Sequence, residues 1–272
     1  MRKVVDINYL QKPELEDYLA KSKGNFIVIT EPASMEMYKS NALKNLICKL
    51  EIISRYPNQV IVLKGTQELV SLTLTANKIP YILIDHRSTF DFSTFCAKTK
   101  AAYEGNELWA HEVSLKSSYA HQYLERRMHS HQGIVDGIRG TAKSYDPSHL
   151  RALRSGKKLP EDFKDCITKN IRELTKLLFE GHPDVKTLPK FDLLKNSYVF
   201  RFSVCVSFLS LRWIKDGGID QVSPEKLRND TVDMIYATYA TYFDGLLSMD
   251  KKMNEIYSQS LNYLRYFDSC DK

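Results

Sequence analysis

The chain has 272 residues and a mass of 31.5 kDa, more than one average domain needs and within reach of a single domain carrying an insertion. Hydrophobic residues make up 43% and charged residues 26%, ordinary globular usage that excludes a disordered chain or a fibrous repeat. Lys and Arg total 39 against 33 Asp and Glu, a formal net charge of +6 that leans toward a polyanionic partner without dictating one.

The cysteines, Cys48, Cys96, Cys166, Cys205 and Cys270, stand far apart. They form neither a Cys-x-x-Cys zinc pair nor an even disulfide framework, so a reducing, cytoplasmic setting is expected. Met1 to Leu10 has two basic residues and then apolar ones, but Asp6 and Asn8 interrupt any signal-peptide core. The longest apolar stretch, Tyr198 to Ile214, contains Arg201 and Arg212, so it predicts a buried helix and no membrane association.

In chain order, Val4-Val5-Asp6-Ile7 predicts a short strand, the polar segment Pro13 to Lys23 a helix, and Phe26 to Thr30 a second strand. Pro32 lies where a first helical turn begins, with Thr30 or Glu31 near the cap, and one helix is predicted from Ala33 towards Ile53. Val60 to Leu63 and Tyr81 to Ile84 read as further strands, with Thr66 to Thr75 between them helical or extended. From about Asp85 to Asp216 the periodicity is helical, broken at Gly133 to Gly140, Gly156 and Gly181 to Pro189.

Gly217-Gly218 stops the apolar helix, and Ser223-Pro224-Glu225 opens a new one through Asp233 and Ala240. Gly245 to Ser248 then reads as a short strand and Lys251 to Phe267 as a final helix. Strands alternating with helices predict an α/β domain with a parallel sheet, spanning 1–272 with a helical insertion over 86–216.

Five acids stand where chemistry is expected. Asp6 lies in an apolar strand, where an ionised carboxylate is costly without compensation. Asp230 and Asp233 are one helical turn apart on one face. Asp250 follows directly after the last strand, at the carboxyl edge where open α/β sheets place their sites, and Glu36 falls one to two turns into the helix after the second strand. Converging there, such carboxylates would repel by roughly 4 kcal/mol per pair at ~4 Å, and a hard divalent cation, Mg²⁺ or Mn²⁺, relieves this. Phosphoryl transfer chemistry is implied.

Four of these acids also have a plain reading. Asp6 caps a turn; Glu36 or its neighbour Glu31 is a solvated helix residue; Asp230 complements a helix dipole; Asp250 caps the last helix.

Four blocks resemble the PIN-domain nucleases of bacterial toxin-antitoxin pairs and eukaryotic RNA processing. Val4-Val5-Asp6-Ile7-Asn8 is similar to the family's first strand, and Ile29-Thr30-Glu31-Pro32-Ala33-Ser34-Met35-Glu36 to its strand, hydroxyl residue, helix and Glu. Asp233 to Ala240 resembles its third-acid helix, and Asp244 to Asp250 its strand, Ser and Asp ending. The match covers about the first 85 and last 50 residues, and the long middle departs from the small members of the family.

The resemblance implies a PIN-like three-layer fold and a metal-dependent endoribonuclease, of the kind found as toxin or defence nucleases, acting on single-stranded or structured RNA. Asp6 and Asp233 would hold the main Mg²⁺ or Mn²⁺, with Asp230 replacing or joining Asp233. Glu36 and Asp250 would complete the shell or orient the attacking water, Asn8 would support Asp6, and Ser248 would help at the site. An inhibitory or complex-forming protein partner and self-association are compatible with it, as is a non-catalytic PIN-like module that binds nucleic acid or protein.

The insertion is basic, with Lys116, Arg126, Arg127, Arg139, Lys143, Arg151, Arg154, Lys157 and Lys158, and has Tyr119, Tyr123 and Tyr145 interleaved. This suits single-stranded RNA, with Arg126, Arg127 and Lys143 as phosphate contacts, and equally suits a solvated helix face. Arg126 and His131 also resemble the Arg-to-His motif of HEPN ribonucleases, and His111, His121, His129 and His131 are weighed as zinc ligands against the absence of a nearby cysteine at zinc spacing.

Overall fold

In the computed structural model, β1 (Arg2–Val5), β2 (Phe26–Ile29), β3 (Val60–Val62) and β4 (Leu246–Leu247) form one parallel sheet in the order β3-β2-β1-β4. The structure describes residues 1–39, 41–66, 68–69, 79–129, 140–141, 143–180, 194–217 and 223–270, with the side chains of 126–129, 224, 228 and 267–270 excepted. The predicted breaks at 133–139 and 181–189 lie outside the described residues.

Consecutive strand residues point to opposite faces of a sheet. Val4 and Val5 are both fully buried, as are Ile27, Val28 and Ile29, so packed layers cover both faces. The α/β expectation and the parallel sheet hold.

The first half supplies α1 (Pro13–Ala20), α2 (Glu31–Met37) and α3 (Ala42–Leu50). Thr30 caps α2 as expected, its Oγ1 accepting the Ala33 N–H. The single helix predicted from Ala33 towards Ile53 is two helices. Asn41 caps a fresh start by accepting the Lys44 N–H, and the Asn45 amide donates to the carbonyls of Glu36 and Met37, satisfying the frayed end of α2.

The strand predicted at Tyr81 to Ile84 is also corrected. Ile79–Ile82 is a single helical turn, and Ile84 makes only an isolated antiparallel bridge to Leu63. Pro80 explains this, because proline cannot donate to a ladder and fits an opening helical turn.

The named elements between β3 and the last strand are all helices among the described residues. After the short helix His86–Phe90 come α4 (Phe92–Tyr103), α5 (Glu107–His129), α6 (Pro147–Ser155), α7 (Phe163–Glu180) and α8 (Tyr198–Lys215). α5 lies against α2, α3 and α4, while α8 packs against α6, α7 and the two closing helices, α9 (Pro224–Ala240) and α10 (Lys251–Cys270).

α8 is the buried helix its apolar run predicts. Its core face includes Phe200, Val204, Cys205 and Leu209, and the serines Ser203 and Ser210 are accommodated by donating back to the carbonyls of Val199 and Val206. No described helix is long and apolar enough to cross a membrane.

Ser223 caps α9 with Pro224 in its first turn, as expected. Gly245 has a φ of 152°, a conformation that favours glycine, and turns the chain from the end of α9 into β4. At the base of that turn the Arg2 N–H donates to Asp244 Oδ2 at 2.6 Å and the Asp244 N–H donates to the Arg2 carbonyl at 2.8 Å, which aligns β4 beside β1.

Candidate active site

The strand order runs outward from β1 to β2 and β3 on one side and to β4 on the other. The crevice beyond the carboxyl ends of β1 and β4 is therefore the switch point where open parallel sheets place their ligands.

Asp6 sits at that point. It follows β1 directly, its N–H extends the ladder to the Leu247 carbonyl, and it caps a short 3₁₀ turn, Ile7–Gln11. Ser248 Oγ donates to Asp6 Oδ2 at 2.9 Å and in turn accepts the Asp250 N–H at 3.0 Å. Asp250 Oδ1 accepts the Met253 N–H at 2.9 Å, opening α10. Burial raises the Asp6 carboxyl above its ordinary value; the bonds from Ser248 and Asn8 oppose that, and the charges of Glu36 and Asp250 add to it.

Glu36, in the last turn of α2, pairs with Lys39 at 2.9 Å. Asp230 and Asp233 face the same cleft from α9. Asp230 is 2% exposed and both of its oxygens are engaged, Oδ2 by Trp213 Nε1 at 3.1 Å and Oδ1 by the Lys252 ammonium. Lys252 also reaches Asp233 Oδ2 at 3.2 Å. Burial pushes Asp233 up to about 7; Asp250 and Asp230 add to the rise and Lys252 pulls against it.

Asp6, Asn8, Glu36, Asp230, Asp233 and Asp250 thus all line one cleft of about 910 Å³. The two ends of the chain supply the acids, as the sequence predicts. Among the described residues, however, no three of these carboxylates come within 4.8 Å of one another; the group that does so is Asp146, His149 and Asp162, on and beside α6. In that group His149 is 3% exposed, with Nε2 at 3.1 Å from Asp162 and its ring edge-on to Phe163.

The plain readings divide. Asp6 and Asp250 do cap turns, while also facing the cleft. The dipole reading of Asp230 is overturned by its burial and its two partners. Glu31 is no solvated residue either, since it accepts the Thr66 N–H at 2.9 Å and the Tyr123 hydroxyl at 2.8 Å.

Several supporting expectations change. Asn8 supports Asp6 through its backbone N–H. The Ser248 hydroxyl is spent on Asp6. Lys143 is exposed and does not line the cleft, and the side chains of Arg126, Arg127 and His129, together with Arg139 and His131, lie outside the described residues. Tyr145 is buried against Phe163 and Tyr123 anchors Glu31, which leaves Tyr119 as the exposed member of the expected stacking set. His111 and His121 are exposed on α5 and belong to no ligand group among the described residues.

Sequence reasoning passed over three groups at the site. Lys252 is one, although a lysine in the first turn of a helix opposes the helix dipole and is a signal in itself. Lys49 is another: it is buried, donates to the Ile7 carbonyl and to Gln11, and is lowered by burial while Asp6 and Glu36 oppose that. The third is Tyr236, read as core, whose buried hydroxyl lines the cleft without a hydrogen-bond partner of normal geometry.

Comparison with models of known families, with characterised proteins and with solved structures finds no match for the chain. The donor set itself suits a hard cation: it is all carboxylate, the charges of Glu36 and Asp250 add to the rise at Asp6, and those of Asp250 and Asp230 add to the rise at Asp233. The wide spacing suits Mg²⁺ or Mn²⁺ held by one or two carboxylates through retained waters better than a close protein cage.

Proposed function

We propose that this cleft is the active centre of a divalent-metal-dependent endoribonuclease that hydrolyses phosphodiester bonds of RNA. The observation that carries this reading is the Asp6, Ser248 and Asp250 relay across the β1–β4 crevice, with Glu36 and Asp233 in the same cleft. Order and placement of these acids resemble the PIN-domain nucleases.

Asp6 and the free oxygen of Asp233 are the residues to hold Mg²⁺ or Mn²⁺, with Glu36 and Asp250 orienting water. A bound ion supplies Lewis acidity toward water and phosphate. Ser248 holds the Asp6 carboxylate in one rotamer. Lys44 and Lys226, exposed at the rim, offer ammonium groups to a phosphate backbone.

A second reading, a non-catalytic nucleic-acid-binding module, is favoured by the carboxylate spacing and by the Lys252 ammonium already set against Asp230 and Asp233. Incubation with single-stranded RNA separates the two. For the nuclease, cleavage in Mg²⁺ or Mn²⁺ disappears in EDTA and falls at least about 100-fold in Asp6→Asn, since even the partners of metal ligands are worth 10–100-fold. Binding without cleavage at any metal concentration establishes the module instead.

A further inference from the structure

We propose that Lys252 is a resident cation that fills one of the two cation positions of the cleft, so that the site loads with a single divalent ion per chain. The proposal rests on the metal-centre reading above and deepens it.

Two-metal phosphodiester sites hold their ions about 3.5–4 Å apart, bridged by shared carboxylates. Here the acid pair on α9, which would reach a second ion, is already occupied. Asp230 accepts Trp213 Nε1 at 3.1 Å on one oxygen and the Lys252 ammonium on the other. The same ammonium lies 3.2 Å from Asp233 Oδ2. The charge of Asp230 is thus already met by an ammonium, and Asp233 keeps one oxygen, the one not facing Lys252.

The arrangement is built rather than incidental. The Lys252 side chain is 19% exposed and that of Asp230 3%. A second divalent ion would have to expel a largely buried ammonium from two carboxylates and strand it. Trp213, from the neighbouring helix α8, fixes Asp230 and so fixes where the ammonium sits. The remaining carboxylates, Asp6, Glu36, Asp250 and the second oxygen of Asp233, form the other half of the cleft, where one ion belongs. Lys252 then brings to a bound phosphate the positive charge that a second ion would bring, on a side chain held by two acids.

The test is Mn²⁺ binding to the full chain, counted by electron paramagnetic resonance of the free ion, for wild type and for Lys252→Met. One Mn²⁺ per wild-type chain and two in the variant, with the spectral broadening of an adjacent pair, is the expected result. Two ions in the wild type, or one in both proteins, overturns the role of Lys252 and leaves the metal centre standing. No binding by the wild type at millimolar Mn²⁺ overturns the metal-centre reading itself and the proposal with it.

A second measurement needs no variant. Lysine acetylation by acetic anhydride, mapped by mass spectrometry, is expected to leave Lys252 protected both without Mn²⁺ and at saturation. Reactivity of Lys252 that appears on adding Mn²⁺ means that the ion has displaced the ammonium, and overturns the proposal.

Discussion

Asp233 lies between the ammonium of Lys252 and two further carboxylates, Asp230 and Asp250, and burial pushes its own carboxyl up to about 7. In an unfolded chain the same group titrates near 3.9. Between those values the folded protein holds a proton that the unfolded chain has lost. The stabilisation is therefore complete below about pH 4 and is lost as pH rises through about 7. Asp233→Asn keeps the neutral shape and removes the titration, so the urea midpoint is expected to fall between pH 5 and pH 8 in the wild type and to fall less in the variant. Asp6, Glu36, Asp233 and Asp250 are legible in the sequence because each stands at a fixed offset from a strand end or a helix start. Trp213 is not, and Lys252 shows only as a charge opposed to the dipole in the first turn of α10. Their meaning depends on how α8, α9 and α10 pack, and no local pattern carries that.

The elements show the same division between local and distant information. Alternating apolar runs and caps locate β1, β2, β3, α1, α8 and α9, whose signals are complete within a dozen residues. The break between α2 and α3 depends on one asparagine, Asn45, reaching back to two carbonyls. The fate of Tyr81 to Ile84 depends on Pro80. Glu31 is the joint between elements that are remote in sequence, tying the start of α2 to the loop after β3 and to Tyr123 on α5. A Cβ on Gly65 would stand 3.0 Å from Glu31 Oε1, so the loop is pressed onto this carboxylate. Glu31→Ala removes the acceptor shared by the Thr66 N–H and the Tyr123 hydroxyl, and is expected to cost about 1–3 kcal/mol in urea unfolding. Amide exchange in 64–66 and in α5 should quicken with it.

Across the whole molecule, α9 packs on β1 and β4, and α8 joins α9 and α10 to α6 and α7. Phe200 on α8 is fully buried, and Phe200→Ala is expected to cost about 3–5 kcal/mol, read from the urea midpoint at constant slope. That α8 is a core helix is evident from its composition; which helices it would join is not, because its apolar surface is broad and marks no particular partner. β1 lies inside the sheet between β2 and β4, and its partner β4 is separated from it by some 240 residues of chain. Until residues 246–250 have left the ribosome, the Asp6 carboxylate has no Ser248 to receive and no Asp250 beside it. A nascent chain therefore carries an unfinished cleft until the segment that closes it, some 240 residues beyond β1, has emerged.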